Sequence, residues 1–262
     1  MPFANVNGAR LYYRQHGGGP DLVFIHGAGG NHLAWWQQTA YFSGRFRVTV
    51  YDARGWGLSR GDMNVARTTL GTDLLGLLDH LRIERAHVVA QSMGGRAVAG
   101  LARLAPSRIA SLVLCGTTAG ATNDRIRDMQ ASLRAERGGA SLREQALAPG
   151  FEEENPALAL LYRQVNALNP PRPRGLLGPP PPSYRGSMHE VLGRLNVPIL
   201  YIVGEHDAIT PPEMIREAAS LVPGAEVAVI RGAGHSCYFE RADEWNRVVE
   251  HFLDRAAAET AE

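Results

Sequence analysis

The chain has 262 residues, 45% of them hydrophobic, with 27 basic side chains against 26 acidic ones and a net charge of +1. Near-neutrality argues against a nucleic-acid partner, and no apolar run reaches the ~18 residues of a membrane-spanning helix, so no membrane association is expected. All 27 basic residues are arginine, so no lysine is present to act as a base or Schiff-base residue. A chain this long can hide roughly three quarters of the surface it exposes when unfolded, so it needs no disulfide or metal to hold its core. Cys115 and Cys237 sit in no ligand spacing and read as free thiols of a reducing, cytoplasmic compartment. The first residues, Met1-Pro2-Phe3-Ala4-Asn5, lack a basic segment followed by an apolar one, and no secretory signal is expected.

In chain order, Arg10-Leu11-Tyr12-Tyr13-Arg14 reads as a strand, closed by the turn Gly17-Gly18-Gly19-Pro20. Leu22-Val23-Phe24-Ile25 is a continuous apolar run, as in a strand buried on both faces. A helix is predicted over 33–42, a strand over 46–51, and a helix over 70–81, where Leu70, Leu74, Leu77, Leu78 and Leu81 keep helical spacing. The strand Ala86-His87-Val88-Val89 follows, then a helix, then a strand over 109–114. Strands alternating with helices predict an α/β fold, a parallel sheet with helices on both faces.

The rhythm changes over 117–187, where no strand is predicted. Ile126, Met129 and Leu133 mark one amphipathic helix, and Leu158, Leu161, Val165 and Leu168 a second, with Pro156 in its first turn. Proline-rich breaks at 169–173 and 178–182 read as stiff spacers. The segment 117–187 is therefore expected to be a helical cap, inserted into a core made of 1–116 and 188–262. The core resumes with a helix over 188–195, a strand over 198–203, a helix over 213–221, a strand over 226–230 and a closing helix over 242–257.

Chemistry concentrates behind strand ends. Ala90-Gln91-Ser92-Met93-Gly94-Gly95 joins a strand to a helix through small residues around a serine, the layout of a nucleophile elbow. The helix start beneath it offers free N–H groups and a positive dipole end. A serine nucleophile needs a base, and the base needs an orienting carboxylate. Asp207, in Gly204-Glu205-His206-Asp207, and His235, in Gly232-Ala233-Gly234-His235, each follow a predicted strand. All three residues thus fall on the sheet edge where open α/β folds bind ligands. Glu205 is the rival acid, and His206 and His26 are rival bases. His26-Gly27-Ala28-Gly29-Gly30, also behind a strand, supplies the Ala28 N–H as an oxyanion donor beside that of Met93. Its glycines do not match a dinucleotide fingerprint and no lysine follows, so a phosphate loop is not expected; hydrolysis by a serine, a histidine and an aspartate requires no cofactor and no metal.

The set His26-Gly27-Ala28-Gly29, Tyr51-Asp52-Ala53-Arg54-Gly55-Trp56-Gly57-Leu58-Ser59, Gln91-Ser92-Met93-Gly94-Gly95, Asp207 and Gly234-His235 resembles the α/β-hydrolase family over nearly the whole chain. The resemblance implies the α/β-hydrolase fold, a mostly parallel eight-stranded sheet with its second strand antiparallel and a cap over the site. It implies Ser92 as nucleophile, His235 as base, Asp207 as acid, Ala28 and Met93 as the oxyanion hole, and a mainly structural role for 52–59. Two positions depart from the usual pattern: Ala90 stands where a glycine is common, and Ala242 where a proline often follows Glu240.

The expected activity is a serine hydrolase cleaving a small-molecule carboxylic ester through an acyl-enzyme. The segment 109–120 together with Gln91-Ser92-Met93-Gly94-Gly95 is also similar to the enol-lactone hydrolases of aromatic degradation. Ser92-Met93-Gly94-Gly95-Arg96 is similar to a menaquinone-pathway lyase of the same fold, in which the arginine helps hold a substrate carboxylate. A carbon–carbon hydrolase or lyase acting on a carboxylate-bearing substrate is thus a further alternative. Substrate-binding side chains are expected at Trp35, Arg96, Met129 and Tyr162, with core or cap packing as the plainer role for each apolar one.

Overall fold

The computed structural model describes residues 2–137, 142, 144–171 and 188–259. Its strands are β1 (Phe3–Val6), β2 (Ala9–His16), β3 (Asp21–Ile25), β4 (Arg47–Tyr51), β5 (Ala86–Gln91), β6 (Ile109–Cys115), β7 (Ile199–Gly204) and β8 (Glu226–Ile230). They form one eight-stranded sheet in the order β1-β2-β4-β3-β5-β6-β7-β8. β2 runs antiparallel to β1 and β4, and every pairing from β4 to β8 is parallel. The central strands β5, β6 and β7 are buried at every position, which is why they are mostly apolar, with His87, Gln91 and Ser111 as buried polar exceptions. At the far edge, β8 leaves Glu226 and Val227 exposed.

Helices α1 (Trp36–Phe42), α2 (Ala66–His80), α3 (Gly94–Leu104), α4 (Asp124–Arg137), α5 (Phe151–Glu154), α6 (Pro156–Ala167), α7 (Met188–Gly193), α8 (Pro212–Ser220), α9 (Cys237–Glu240) and α10 (Ala242–Glu259) cover the two faces. One face packs Leu74, Leu77 and Leu78 of α2, Val98 and Leu101 of α3 and Ile215 of α8 against the sheet. The other packs Phe42 of α1 and Trp245, Val249 and Phe252 of α10 around Trp35. α2 and α3 meet at two glycines: a Cβ on Gly71 would stand 2.5 Å from the Gly100 Cα. That close approach packs α2 against α3, the helix that begins two residues after Ser92.

The predicted 33–42 helix is divided. Asn31 Oδ1 accepts from Leu33 N–H at 3.0 Å and starts a 3-10 turn, His32–Trp35, before α1 begins. β1, α5 and α9 are additional to the predicted elements; each is only four residues long, too short for a periodic signal. Between β6 and β7 the described residues contain no strand, as predicted. That segment builds on the core: Ile126 of α4 joins the cluster around α2 and α3, and Tyr162 and Val165 of α6 join the cluster around Trp35. The predicted spacer at 178–182, and residues 172–173 of the one at 169–173, lie outside the described residues. Among the described residues no helix is long and apolar enough to cross a membrane.

Candidate active site

Ser92 sits between β5 and α3 with φ +49°, in the left-handed region. The elbow is pinned on both sides: Ser92 N–H donates to Cys115 O at 2.9 Å, Gly95 N–H to Ser92 O at 3.0 Å, and Arg96 N–H to Met93 O at 2.9 Å. Small residues are obligatory beside it, since a Cβ on Gly94 would stand 2.7 Å from Ile25 O, and one on Gly95 2.4 Å from Thr117 Oγ1. Ala90, the departure from the usual glycine, is fully buried in the core cluster, so the sheet absorbs its methyl group.

Asp207 lies in the turn after β7. Its Oδ1 accepts from the Ile209 and Thr210 N–H groups, both at 2.8 Å, while Oδ2 accepts from Thr210 Oγ1 and from His235 Nδ1, each at 2.8 Å. A carboxylate beside Nδ1 assigns the ring proton to that nitrogen and leaves Nε2 as the basic one. Both side chains are buried, at 6% exposure for His235 and 0% for Asp207. The imidazole rests on Gly116, where a Cβ would stand 3.0 Å from Nδ1 and Cε1. The rivals are placed otherwise. Glu205 and His206 are about half exposed, and Glu205 accepts from Gly232 N–H at 2.9 Å. His26 is buried with both ring nitrogens engaged: Nδ1 donates to Gly27 O at 2.7 Å, and Nε2 accepts from Ala53 N–H at 3.0 Å.

Ser92, His235, Ala28, Tyr162 and Asn166 line one cavity of about 180 Å³. The loop holding Ala28 is clamped from two sides. Trp56 Nε1 donates to Ala28 O at 2.8 Å, and Asn169 Nδ2 donates to Gly29 O and Gly30 O at 3.0 and 3.1 Å. The N–H groups of Ala28 and Met93 donate to no acceptor among the described residues. The 52–59 segment holds itself together, with Asp52 accepting from Leu58 N–H at 2.7 Å and from His32 N–H at 2.6 Å. Arg54 forms a buried two-bond pair with Asp73, at 2.9 and 2.8 Å.

Of the expected substrate-binding residues, only Tyr162 lines the cavity; its hydroxyl pairs with Ser236 Oγ at 2.8 Å. Trp35, Arg96 and Met129 are not among the described lining residues. Trp35 is fully buried, its ring 4.9 Å from Phe24 and 4.3 Å from Tyr238, so it packs the core. Met129 packs against the α2–α3 cluster. Arg96 is half-buried in the first turn of α3.

Other residues near the site escape sequence reasoning. Glu240, 6% exposed, bridges the loop of His235 to the segment before α5: Oε1 accepts from Gly234 N–H at 3.0 Å and Oε2 from Ala148 N–H at 2.8 Å. Burial pushes its carboxyl up to about 7 despite those two donors, which favour the charged form. Ser236 N–H adds a bond to Ala146 O at 2.9 Å. Cys115 and Cys237 are free and buried with their sulfurs 3.5 Å apart. Burial pushes the Cys237 thiol well up, which disfavours a thiolate nucleophile there.

Known proteins share this fold. The family model of the alpha/beta hydrolase fold matches residues 20–242. The chain is 28% identical to 3-oxoadipate enol-lactonase 2 of Acinetobacter baylyi, over 90% of this chain and 89% of that one. Its fold is similar to that of the enol-lactonase from Burkholderia xenovorans LB400 (TM-score 0.75, 27% identity, 97% of this chain and 100% of that one). It is also similar to a thermophilic esterase from Thermogutta terrifontis with malate bound (TM-score 0.78, 24% identity, 97% and 98%), a likeness that speaks for the fold alone. The chain belongs to the α/β-hydrolase family.

Proposed function

We propose that this hydrolase cleaves small carboxylic esters through an acyl-enzyme on Ser92. The observation that carries the reading is His235, held by the buried Asp207 at 2.8 Å, on the wall of the same cavity as the half-buried Ser92. His235 Nε2 takes the Ser92 proton as Oγ attacks the ester carbonyl, and Asp207 stabilises the imidazolium through Nδ1–H. The Ala28 and Met93 N–H groups receive the oxyanion. The alcohol leaves with the proton from His235. Water, activated by the same nitrogen, then attacks the acyl-enzyme and releases the acid. A cavity of about 180 Å³ suits short acyl chains.

A lactone is the second reading, favoured by the two enol-lactonase likenesses. The chemistry is the same, except that the leaving alcohol stays tethered to the acyl-enzyme. Hydrolysis of p-nitrophenyl esters of increasing acyl length, with Ser92→Ala alongside, tests the proposal. Turnover should peak at a short chain and fall by about 10⁴–10⁶ in the variant. Turnover that survives the substitution removes Ser92 from the mechanism.

A further inference from the structure

Among the described residues Asp207 accepts from four donors, two on each oxygen. The two on Oδ1 are backbone N–H groups, and they close the turn after β7 by themselves. The two on Oδ2 are side chains: His235 Nδ1–H and, at the same 2.8 Å, the hydroxyl of Thr210. Thr210 Oγ1 stands 3.5 Å from His235 Nδ1, so hydroxyl, carboxylate oxygen and ring nitrogen form a triangle. Gly116 lies against the same oxygen, since a Cβ there would stand 3.3 Å from Oδ2.

The terminal torsion of an aspartate is broad, so its oxygens are aimed by what donates to them. The turn uses Oδ1. The hydroxyl goes to the other oxygen, the one that His235 uses. Thr210 is also stiff. Its branched Cβ restricts χ1, and Pro211, which follows it at the start of α8, disfavours helical backbone at residue 210. A hydroxyl on such a stem gives a buried carboxylate a charge-assisted bond, roughly twice as strong as a neutral one.

We propose that Thr210 is a positioning residue for the reaction at Ser92: its hydroxyl keeps Asp207 Oδ2 aimed at His235 Nδ1 while the imidazole takes the proton and returns it. The imidazolium forms in acylation and again in deacylation, so the hydroxyl serves both steps. It acts through Asp207 and His235, and its removal lowers kcat without weakening substrate binding. The assignment rests on the reading of Ser92 as nucleophile and His235 as its base.

Thr210→Val removes the hydroxyl at similar shape. With p-nitrophenyl butyrate, kcat should fall by about ten- to a hundredfold, as for a displaced catalytic group, while KM stays within about twofold of the wild type. Thr210→Ser restores the hydroxyl and should recover most of the loss. Thr210→Ala set against Thr210→Ser makes the same comparison where the valine variant fails to fold. A kcat within about twofold of the wild type overturns the assignment. So does a loss that serine does not recover, or one carried by KM, since either makes the threonine a structural part of the turn. A turnover-free arm follows the His235 Nδ1 proton by NMR, identified by its absence in His235→Gln. Its resonance should shift in Thr210→Val and return in Thr210→Ser. A resonance that stays in place in the valine variant overturns the assignment whatever the turnover. A shift that serine reverses, with no ester hydrolysed by the wild type, sinks the nucleophile reading and leaves the hold of Thr210 on the Asp207–His235 pair standing.

Discussion

The two walls of the cavity are held by different means. On the sheet side, Ser92, Asp207 and His235 each follow a parallel strand, and backbone groups fix the turns that carry them. On the other side, α6 reaches the Ala28 loop through side chains: Asn31 Nδ2 donates to Val165 O at 2.8 Å, and Asn169 bonds Gly29 and Gly30. The contrast teaches where variation is cheap. The positions of the proposed reacting groups come with the sheet, whereas the wall proposed to meet the acyl part can be rewritten one side chain at a time.

The largest effect that tests this contrast comes from Asp207→Asn. An amide can still accept from the Ile209 and Thr210 N–H groups, so the turn should survive, but it no longer enforces the proton on His235 Nδ1. We expect kcat to fall by about 10³–10⁴, with thermal stability nearly unchanged. A large loss of stability instead would show that Asp207 serves the turn more than the imidazole.

Glu240 is where the two walls touch, and it sharpens the comparison through pH. The folded protein holds this carboxyl proton up to about 7, against an ordinary value of 4.5. Its contribution to stability is therefore complete below 4.5 and is lost as pH rises through about 7. The loss amounts to about 3 kcal/mol. Glu240→Gln has no such proton, so its stability relative to the wild type should improve between about pH 5 and about pH 8. Thermal unfolding of both proteins at the two pH values measures this. A difference that stays constant would mean that the two N–H donors outweigh burial.

The smallest effect belongs to the α6 side. Tyr162→Phe removes the bond to Ser236 Oγ and should cost about 1 kcal/mol of stability and a few-fold in kcat/KM. Loss of activity comparable to that of Asp207→Asn would erase the distinction between the walls.

What was legible in the sequence follows the same division. β3, β5, β6 and β7 announce themselves because burial on both faces favours mostly apolar residues, with His87, Gln91 and Ser111 as buried polar exceptions. Ser92, Asp207 and His235 could be singled out because each occupies a recognisable turn behind a strand, buried for the first two and half-exposed for His235. β1 is hidden by its length of four residues and its mixed burial at the sheet edge. Glu240 has no local signal, since its partner Ala148 lies 92 residues away. Asn166 reads in sequence as one polar residue on an amphipathic helix, and its burial against Gly29 arises only where α6 meets that loop. Trp35 misleads for the converse reason: it neighbours the Ala28 loop in sequence, but its ring turns into the cluster beneath α10.

The left-handed backbone at position 92 also restricts which chemistry this site could acquire by substitution. A β-branched side chain is a true outlier in that region, so threonine is excluded as a nucleophile despite carrying the same hydroxyl. Aspartate is several-fold enriched there, and cysteine avoids branching at Cβ. Both keep a reactive atom at the head of α3. From serine, the elbow therefore leaves routes open to a thiol or a carboxylate and closes the one to a secondary alcohol.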